Sequence, residues 1–578
     1  MQRREFLAGG VYAAGVVGGG RMRAAEAGDD ERAEQFHGYP GRAQARSMVI
    51  TPMGIAATSQ TLASQAGAQV LARGGSAVDA AIAANATLGV VEPMSNGMGG
   101  DLFAICWDAK TGTLTGLNGS GWAPAGLNIS FLKSLGRSSM PREGIHSVTV
   151  PGCVSGWQKL HQRFGRLPWK DLFQPAIYFA GRGYPVTEII QASWQVAVPK
   201  LAADANARRI FLDHGAAPQV GQVFHNSELA EALRLIASEG PGAFYRGPIS
   251  KSILKTSDRL GGKMTAADLS EFEAEWVEPM HTEYRGWKVY ELPPNGQGIA
   301  ALEMLNIMET FPLGEHPHLG ADDLHIKIEA KKLAYADLAR FVADPRFSKV
   351  PMAGMVDKGY ARQRARLIDL HKAACLVQPG QPGWGAGDTI YLSMVDREGN
   401  IVSLIQSLFQ GFGSGVVVDD FGFHFQNRGG LFLLDETHPD ALQPRKRPLH
   451  TIIPAFMEKG ETHVGFGIMG GFNQAQAHAQ FVSHVVDAGM NIQAALEAPR
   501  FTKLTFAGCD VMIEGRVPPE VRRDLEARGH KLTVMPDYAQ PMGGGQAVLH
   551  DARTRVNYGA SSPRKDGAAV PEPAPYFG

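Results

Sequence analysis

From residue 61 the apolar positions recur at helical spacing. In "SQTLASQAGAQVLARGGSAVDAAIAANATLGVVEP", Leu62, Ala66, Val70 and Leu71 share one stripe, and Gly74-Gly75 ends the first helix. Ser76 then caps a second helix with Asp79 in its first turn. The small residues Ala80, Ala81, Ala83, Ala84 and Ala86 predict close packing against a sheet or another helix. The period changes in "GMGGDLFAICWDAKTGTLTGLNGSG", where 102–107 and 113–117 predict a strand pair around "DAKTG". Helical spacing prevails over 155–270, 298–311 and 323–342, and 346–388 reads as a linker rich in Gly, Pro and charge. Beyond 388 strands dominate. "TIYLSMVD" and "IVSLIQS" flank "REGN", a hairpin signal. With Asp396 near Ile401, antiparallel pairing brings Thr389 within about one residue of Ser407. Strands at 451–457 and 462–468 lead into "GIMGGFNQAQAHAQFVSHVVDAG", a glycine turn opening a helix.

Composition adds bounds. The 578 residues exceed the size at which one core stops growing, and 44% apolar with 20% charged residues is a soluble globular balance. With 56 basic and 57 acidic residues there is no basic field, so nucleic acid is not an expected partner. Cys106, Cys153, Cys375 and Cys509 include no C-x-x-C, which gives zinc no support. One or two disulfides and buried free thiols both stay open. The N-terminus "RREFLAGG" pairs Arg3 and Arg4 ahead of a weakly apolar run, and "RMRAAEA" offers an A-x-A site at 25–27. Residues 1–27 therefore read as a twin-arginine export signal, which implies a periplasmic protein that folds before crossing the membrane. The apolar run is about half of the roughly 20 residues that span a bilayer. Stable insertion is not expected, and an uncleaved anchor is the alternative.

The candidate chemistry begins at "GWGAGDTIYLSMVDREGN". A threonine at a strand start is ordinarily a matter of β-propensity. Here a Gly-rich loop precedes it. If the Asp388–Thr389 bond were cut, the Thr389 hydroxyl would gain its own α-amine as general base, with a pKa of about 7.7–8.0 before perturbation. Such chemistry needs oxyanion donors. Gly470 and Gly471 stand where a strand meets a helix, so their backbone N–H groups can serve, although Gly-Gly turns are also common for purely structural reasons.

Several ordered motifs carry a resemblance over about 49–568: "GGSAVDAAIAANATLGVVEP", "GMGGDLF", "VPGCVSGW", "LPPNGQGIAALEMLNI", "AYADLARFVADP", "DTIYLSMVDREGNIVSLIQS", "KRPLHTIIPAF", "GIMGG" and "GASSPRKDG". The chain resembles the gamma-glutamyltransferases, which are N-terminal nucleophile hydrolases. The resemblance implies an α/β (α+β) fold, a four-layer αββα sandwich made as a precursor. It implies self-cleavage before Thr389 into a large chain of residues 28–388 and a small one of 389–578. Thr389 matches the nucleophile, Ser407 a supporting hydroxyl, and Gly470 and Gly471 the oxyanion pair. No metal or organic cofactor is implied. The partners are a small amide substrate and the two chains of one precursor, with a homodimer open.

The pocket pattern departs from the family. Ser120 in "NGSGWAP" stands where transferases carry an Arg for the α-carboxylate. In "QNRGGLF", Asn427 is kept, Arg428 replaces Gln, and Leu431 occupies the position of the Asp that holds the α-amine. His450 and Thr451 replace paired serines, and Phe409 replaces an Asn. A zwitterionic headgroup deprived of both counter-charges loses a few kcal/mol at each. Arg428 and His450 suit instead an acyl group with a carboxylate and no amine, as in the acylase and oxamate-amidohydrolase branch. Arg428 as a structural ion pair and His450 as a hydrogen-bonded surface residue are the plainer alternatives. Tyr335 and Asp337 read as helix packing and surface, and Arg445 to Arg447 as structural anchoring. The leading expectation is an exported amide hydrolase. The rivals are a true gamma-glutamyltransferase or glutathione hydrolase and an uncleaved, inactive binding scaffold.

Overall fold

The computed structural model describes residues 44–378 and 388–576. The twin-arginine segment lies outside them. Two seven-stranded sheets stack face to face. The front sheet runs, edge to edge, Ala568–Pro571, Ile55–Thr58, Asp388–Val395, Ile401–Phe409, Asp101–Asp108, Thr113–Gly119 and Glu275–Val277. The back sheet runs Val49–Thr51, Val556–Ser561, Gly545–Asp551, Thr462–Ile468, Ala455–Lys459, Trp287–Glu291 and Met280–Tyr284. All these pairings are antiparallel.

The strand alternation explains the layers. Tyr391, Val395, Ile401 and Ile405 point between the sheets, joined by Ile55, Phe103, Ile105, Phe456 and Val548. Their neighbours Leu392, Met394, Val402 and Leu404 point outward onto the helices Thr61–Ala72 and Ala77–Val91. With both faces covered, each strand reads as a continuous apolar run rather than an alternation. The back sheet buries Val464, Phe466 and Ile468 under Gly298–Met308, Ala321–Phe341 and Asn473–Val486. The result is a four-layer αββα sandwich.

Local signals held where the chemistry is local. Ser76 Oγ accepts from the Asp79 N–H at 3.1 Å, and the Asp79 carboxylate accepts from the Ser76 N–H at 3.0 Å, closing a capping box. Four readings are corrected. The segment 346–378 is not plain linker, because Met352–Met355 and Lys358–Ala365 are helices packed beside Ala321–Phe341. The strand expected at 451–457 starts at Ala455. Before it, the Ile452 N–H goes to His450 Nδ1 and the Ile453 N–H to Gln474 Oε1, so those groups are spent outside a ladder. Asp337 is buried, not on the surface, and accepts from Tyr360 Oη at 2.7 Å and pairs with Arg364 Nε at 3.0 Å. His450 is fully buried. Cys375 and Cys509 form a disulfide, while Cys106 and Cys153 are buried thiols. Among the described residues no helix is long and apolar enough to cross a membrane.

Candidate active site

The 388–395 and 401–409 strands pair with Val395 opposite Ile401 and Ile390 opposite Gln406. Continued by one residue, that register puts the Thr389 position opposite Ser407. A shift then pairs Asp388 with Phe409 instead. Such an irregularity bends a strand and ends its regular pairing. On its other side Ser407 pairs with Asp101 of the 101–108 strand. The Ser407 hydroxyl accepts from the Phe409 N–H at 2.7 Å.

The second sheet brings in the glycine turn. A Cβ on Gly467 would lie 2.5 Å from the Tyr391 ring, so only glycine lets that ring lie against the 462–468 strand. Gly465 lies over Ser393, whose Oγ donates to the Gly465 carbonyl at 3.3 Å, and a Cβ there would meet the Ile401 side chain at 2.6 Å. Beyond Gly467 this strand runs on through Ile468 and Met469 into Gly470 and Gly471. Both glycines have positive φ, 118° and 60°. Neither of their N–H groups donates to a described residue. Two free donors at the entry to the Asn473–Val486 helix suit a developing anion.

The turn is held from four sides. Gln297 Nε2 donates to the Gly471 carbonyl at 2.8 Å and to the Thr451 carbonyl at 2.6 Å. Asn473 Nδ2 donates to the Met469 carbonyl at 3.1 Å, and Gln476 Nε2 to the Phe472 carbonyl at 3.1 Å. The Tyr335 hydroxyl donates to that same Phe472 carbonyl. Tyr335 is thus part of the site's scaffold, and not only of its helix packing.

Beside the junction lies Arg428. Its guanidinium sits 4.3 Å above the Phe409 ring, the residue that pairs with Asp388. Nη1 donates to Thr451 Oγ1 at 2.5 Å, whereas Nε and Nη2 have no partner among the described residues. The side chain is fully buried. Burial pushes its pKa down to about 9, and the Asp101 carboxylate only partly opposes this. No carboxylate pairs with it among the described residues, so the ion-pair alternative is not what holds it.

His450 Nε2 donates to Asp101 Oδ2 at 2.9 Å, and its ring lies 4.6 Å from Phe103. Burial first, then the Arg428 charge, lowers its pKa to about 4, so the ring is neutral at pH 7. Asp101 also accepts from the Gly121 N–H and from Gln426 Nε2 through Oδ1. Ser120 is buried, and its Oγ accepts from Asn295 Nδ2 at 3.0 Å. Asn427 is committed to the fold: Nδ2 donates to the Arg142 carbonyl and to Gln410 Oε1, while Oδ1 accepts from the Gln410 N–H. Leu431 packs with Phe409, Leu449 and Phe472 in the back core. Of the expected binding residues, Arg428 and Thr451 touch directly, His450 adjoins Thr451 in the chain but turns its ring to Asp101, and Ser120 and Asn427 are spent on scaffold contacts.

Sequence reasoning did not single out Asp101, Asn295 or Gln297. The available signal was polar residues buried in glycine turns, "GGDLF" and "PPNGQG". One further cluster, His325, Glu329 and His530, has the residue types of a metal site. Its facing atoms are already paired with one another and with a lysine. His325 Nδ1 and His530 Nε2 share a hydrogen bond of 2.8 Å, and Lys332 Nζ donates to Glu329 Oε1 at 2.7 Å, placing an ammonium where a cation would sit.

Compared with known proteins, residues 63–572 match the family described as Gamma-glutamyltranspeptidase. The chain is 36% identical to the Glutathione hydrolase-like YwrD proenzyme of Bacillus subtilis (strain 168), over 91% of this chain and 98% of that one. It is 32% identical to the Oxamate amidohydrolase proenzyme of Klebsiella pneumoniae subsp. pneumoniae, over 90% and 99%. The solved cephalosporin acylase from Bacillus halodurans superposes with a TM-score of 0.86 at 41% identity, covering 93% of this chain and 98% of that one. The chain belongs to the gamma-glutamyltranspeptidase family, an enzyme family of N-terminal nucleophile hydrolases.

Proposed function

We propose that this family member is an exported, self-cleaving amide hydrolase whose acyl group carries a carboxylate. In maturation the Thr389 hydroxyl attacks the Asp388 carbonyl and takes the acyl group from nitrogen to oxygen. Water then hydrolyses that ester, leaving residues 28–388 and 389–578 as two chains. The freed Thr389 amine accepts the hydroxyl proton as Thr389 attacks a substrate amide, with Ser407 supporting the nucleophile. Gly470 and Gly471 N–H groups stabilise the oxyanion, the amine leaves, and water releases the acid. The register at Ser407, the free glycine N–H groups and the proenzyme names of the relatives support this sequence of steps.

The observation that carries the substrate class is Arg428, a buried guanidinium with two unused donors stacked on the residue that faces the junction. A carboxylate accepts such a fork in bidentate fashion. The oxamate amidohydrolase and cephalosporin acylase relatives fit the same reading. γ-Glutamyl amides are the second class, favoured by the glutathione hydrolase-like relative. The deciding experiment is an acyl panel on the purified enzyme: γ-glutamyl, glutaryl and oxamate amides, with Thr389→Ala as the blank. Glutaryl or oxamate turnover at least about tenfold above γ-glutamyl is expected, from the loss of both headgroup charges. Dominant γ-glutamyl turnover would refute the pocket argument. A single full-length band that Thr389→Ala leaves unchanged would refute the cleavage.

A further inference from the structure

We propose that the two chains of the mature protein are joined covalently by the Cys375–Cys509 disulfide, which fastens the end of the large chain to the small one. This rests on the cleavage reading, because only a cut between the two cysteines turns an internal loop into a bridge between chains. They are 134 positions apart, and the Asp388–Thr389 bond lies between them.

The sulfurs are not the only contact. The Gly508 N–H donates to the Cys375 carbonyl at 3.0 Å, and the Ala373 N–H donates to the Arg528 carbonyl at 2.7 Å. Arg528 Nη1 donates to the Leu370 carbonyl at 3.0 Å. Residues 370–375 are thereby docked on residues 508–528, and the Cys375 and Cys509 Cα atoms stand 4.7 Å apart, within the usual 4.4–6.8 Å range of about one disulfide span. Hydrogen bonds beside the disulfide also hold the arm against the small chain. Cys375 lies on exposed chain, whereas Cys509 is buried beneath it. An outside reagent therefore meets Cys375 first.

Formation needs an oxidant, and a disulfide-bearing small molecule or protein supplies it. The Cys375 thiolate attacks that disulfide and expels one thiol. The Cys509 thiolate then displaces the second thiol, so the oxidant takes up two electrons and two protons. Such oxidants are found outside the cytoplasm, which fits an exported protein. The remaining cysteines do not compete. Both are buried, and burial pushes the Cys106 thiol up to about 12 and Cys153 well above its ordinary value.

The test uses the full-length protein purified from the exported fraction and alkylated at once to trap free thiols. On a denaturing gel without reductant, one band at the mass of the whole mature protein is expected. With reductant it should resolve into two. Cys375→Ser, on the exposed arm, should give two bands in both lanes while keeping wild-type turnover. Peptide mass mapping should find the 375–509 linked pair. Two bands without reductant, with both cysteines alkylated, would overturn the cross-link and leave the cleavage intact. One band in both lanes, with the peptide across 388–389 unbroken, would sink the cleavage and the cross-link with it.

Discussion

Arg564 and Arg428 are both buried, and the protein treats them in opposite ways. Arg564 donates through Nε and Nη2 to both oxygens of Glu514 at 2.7 Å, and to the carbonyls of Leu496 and Ala498. Arg500 and Arg516 surround the same carboxylate, each with its own carbonyl partner. That region is a network closed around one carboxylate, with Arg516 Nε left idle among the described residues, and removing one member strands the rest. Arg428 has one hydroxyl, one aromatic face and two idle donors. A fold gains nothing by burying a guanidinium half-satisfied. The contrast separates a charge held for architecture from one with donors to spare, which we propose a ligand takes up.

The comparison can be broken at either end. The largest effect is expected at the closed end: Arg564→Met leaves Glu514 buried against a lost partner and should cost about 3–5 kcal/mol in urea unfolding. A loss under about 1 kcal/mol would show the network to be dispensable. Next comes pH. His450 has its pKa depressed to about 4 from an ordinary 6.5, so the unfolded chain binds the proton first. Its contribution is whole above pH 6.5 and is lost as pH falls toward 4, about 3 kcal/mol in all. His450→Gln should flatten the unfolding free energy across that window, and an unchanged slope would place the titration elsewhere.

At the open end, Arg428→Met should lower kcat/KM for a carboxylate-bearing amide about 100-fold, near 2.7 kcal/mol. It should spare both a neutral acyl amide and stability. An equal loss on both substrates would make Arg428 architectural after all. The smallest effect should be Gln297→Ala, which releases the Gly471 and Thr451 carbonyls: about a tenfold fall in kcat with KM little changed. A change confined to KM would move Gln297 from the turn to the binding pocket.

What could be read from the chain beforehand follows the distance over which each feature is decided. The pairing of 388–395 with 401–409 came from one hairpin, whose short turn at 396–400 fixes it locally. The Ser76–Asp79 box is equally local. The alignment of Tyr391 over Gly467 was not legible, since it is set by how two sheets stack and not by either strand alone. The edge strand Met280–Tyr284 and its neighbour Trp287–Glu291 escaped notice because they mix exposed polar and half-buried positions. The disulfide pair was undecidable at a separation of 134 residues. Arg428 was singled out by its residue type. That it lacks a counter-ion among the described residues depends on how several separate segments fold around it, which no spacing rule encodes.

The strand order has a consequence in time. In the front sheet, Ile55–Thr58 lies between Ala568–Pro571 and Asp388–Val395, and in the back sheet Trp287–Glu291 pairs with Ala455–Lys459. Segments made early by the ribosome thus wait for partners made last. A gene encoding only residues 389–578 would yield strands with bare edges and a tendency to aggregate. The sandwich must be finished as one thread before it can be divided into two. Once divided, the threads stay woven, so neither half keeps its sheet edges covered without the other.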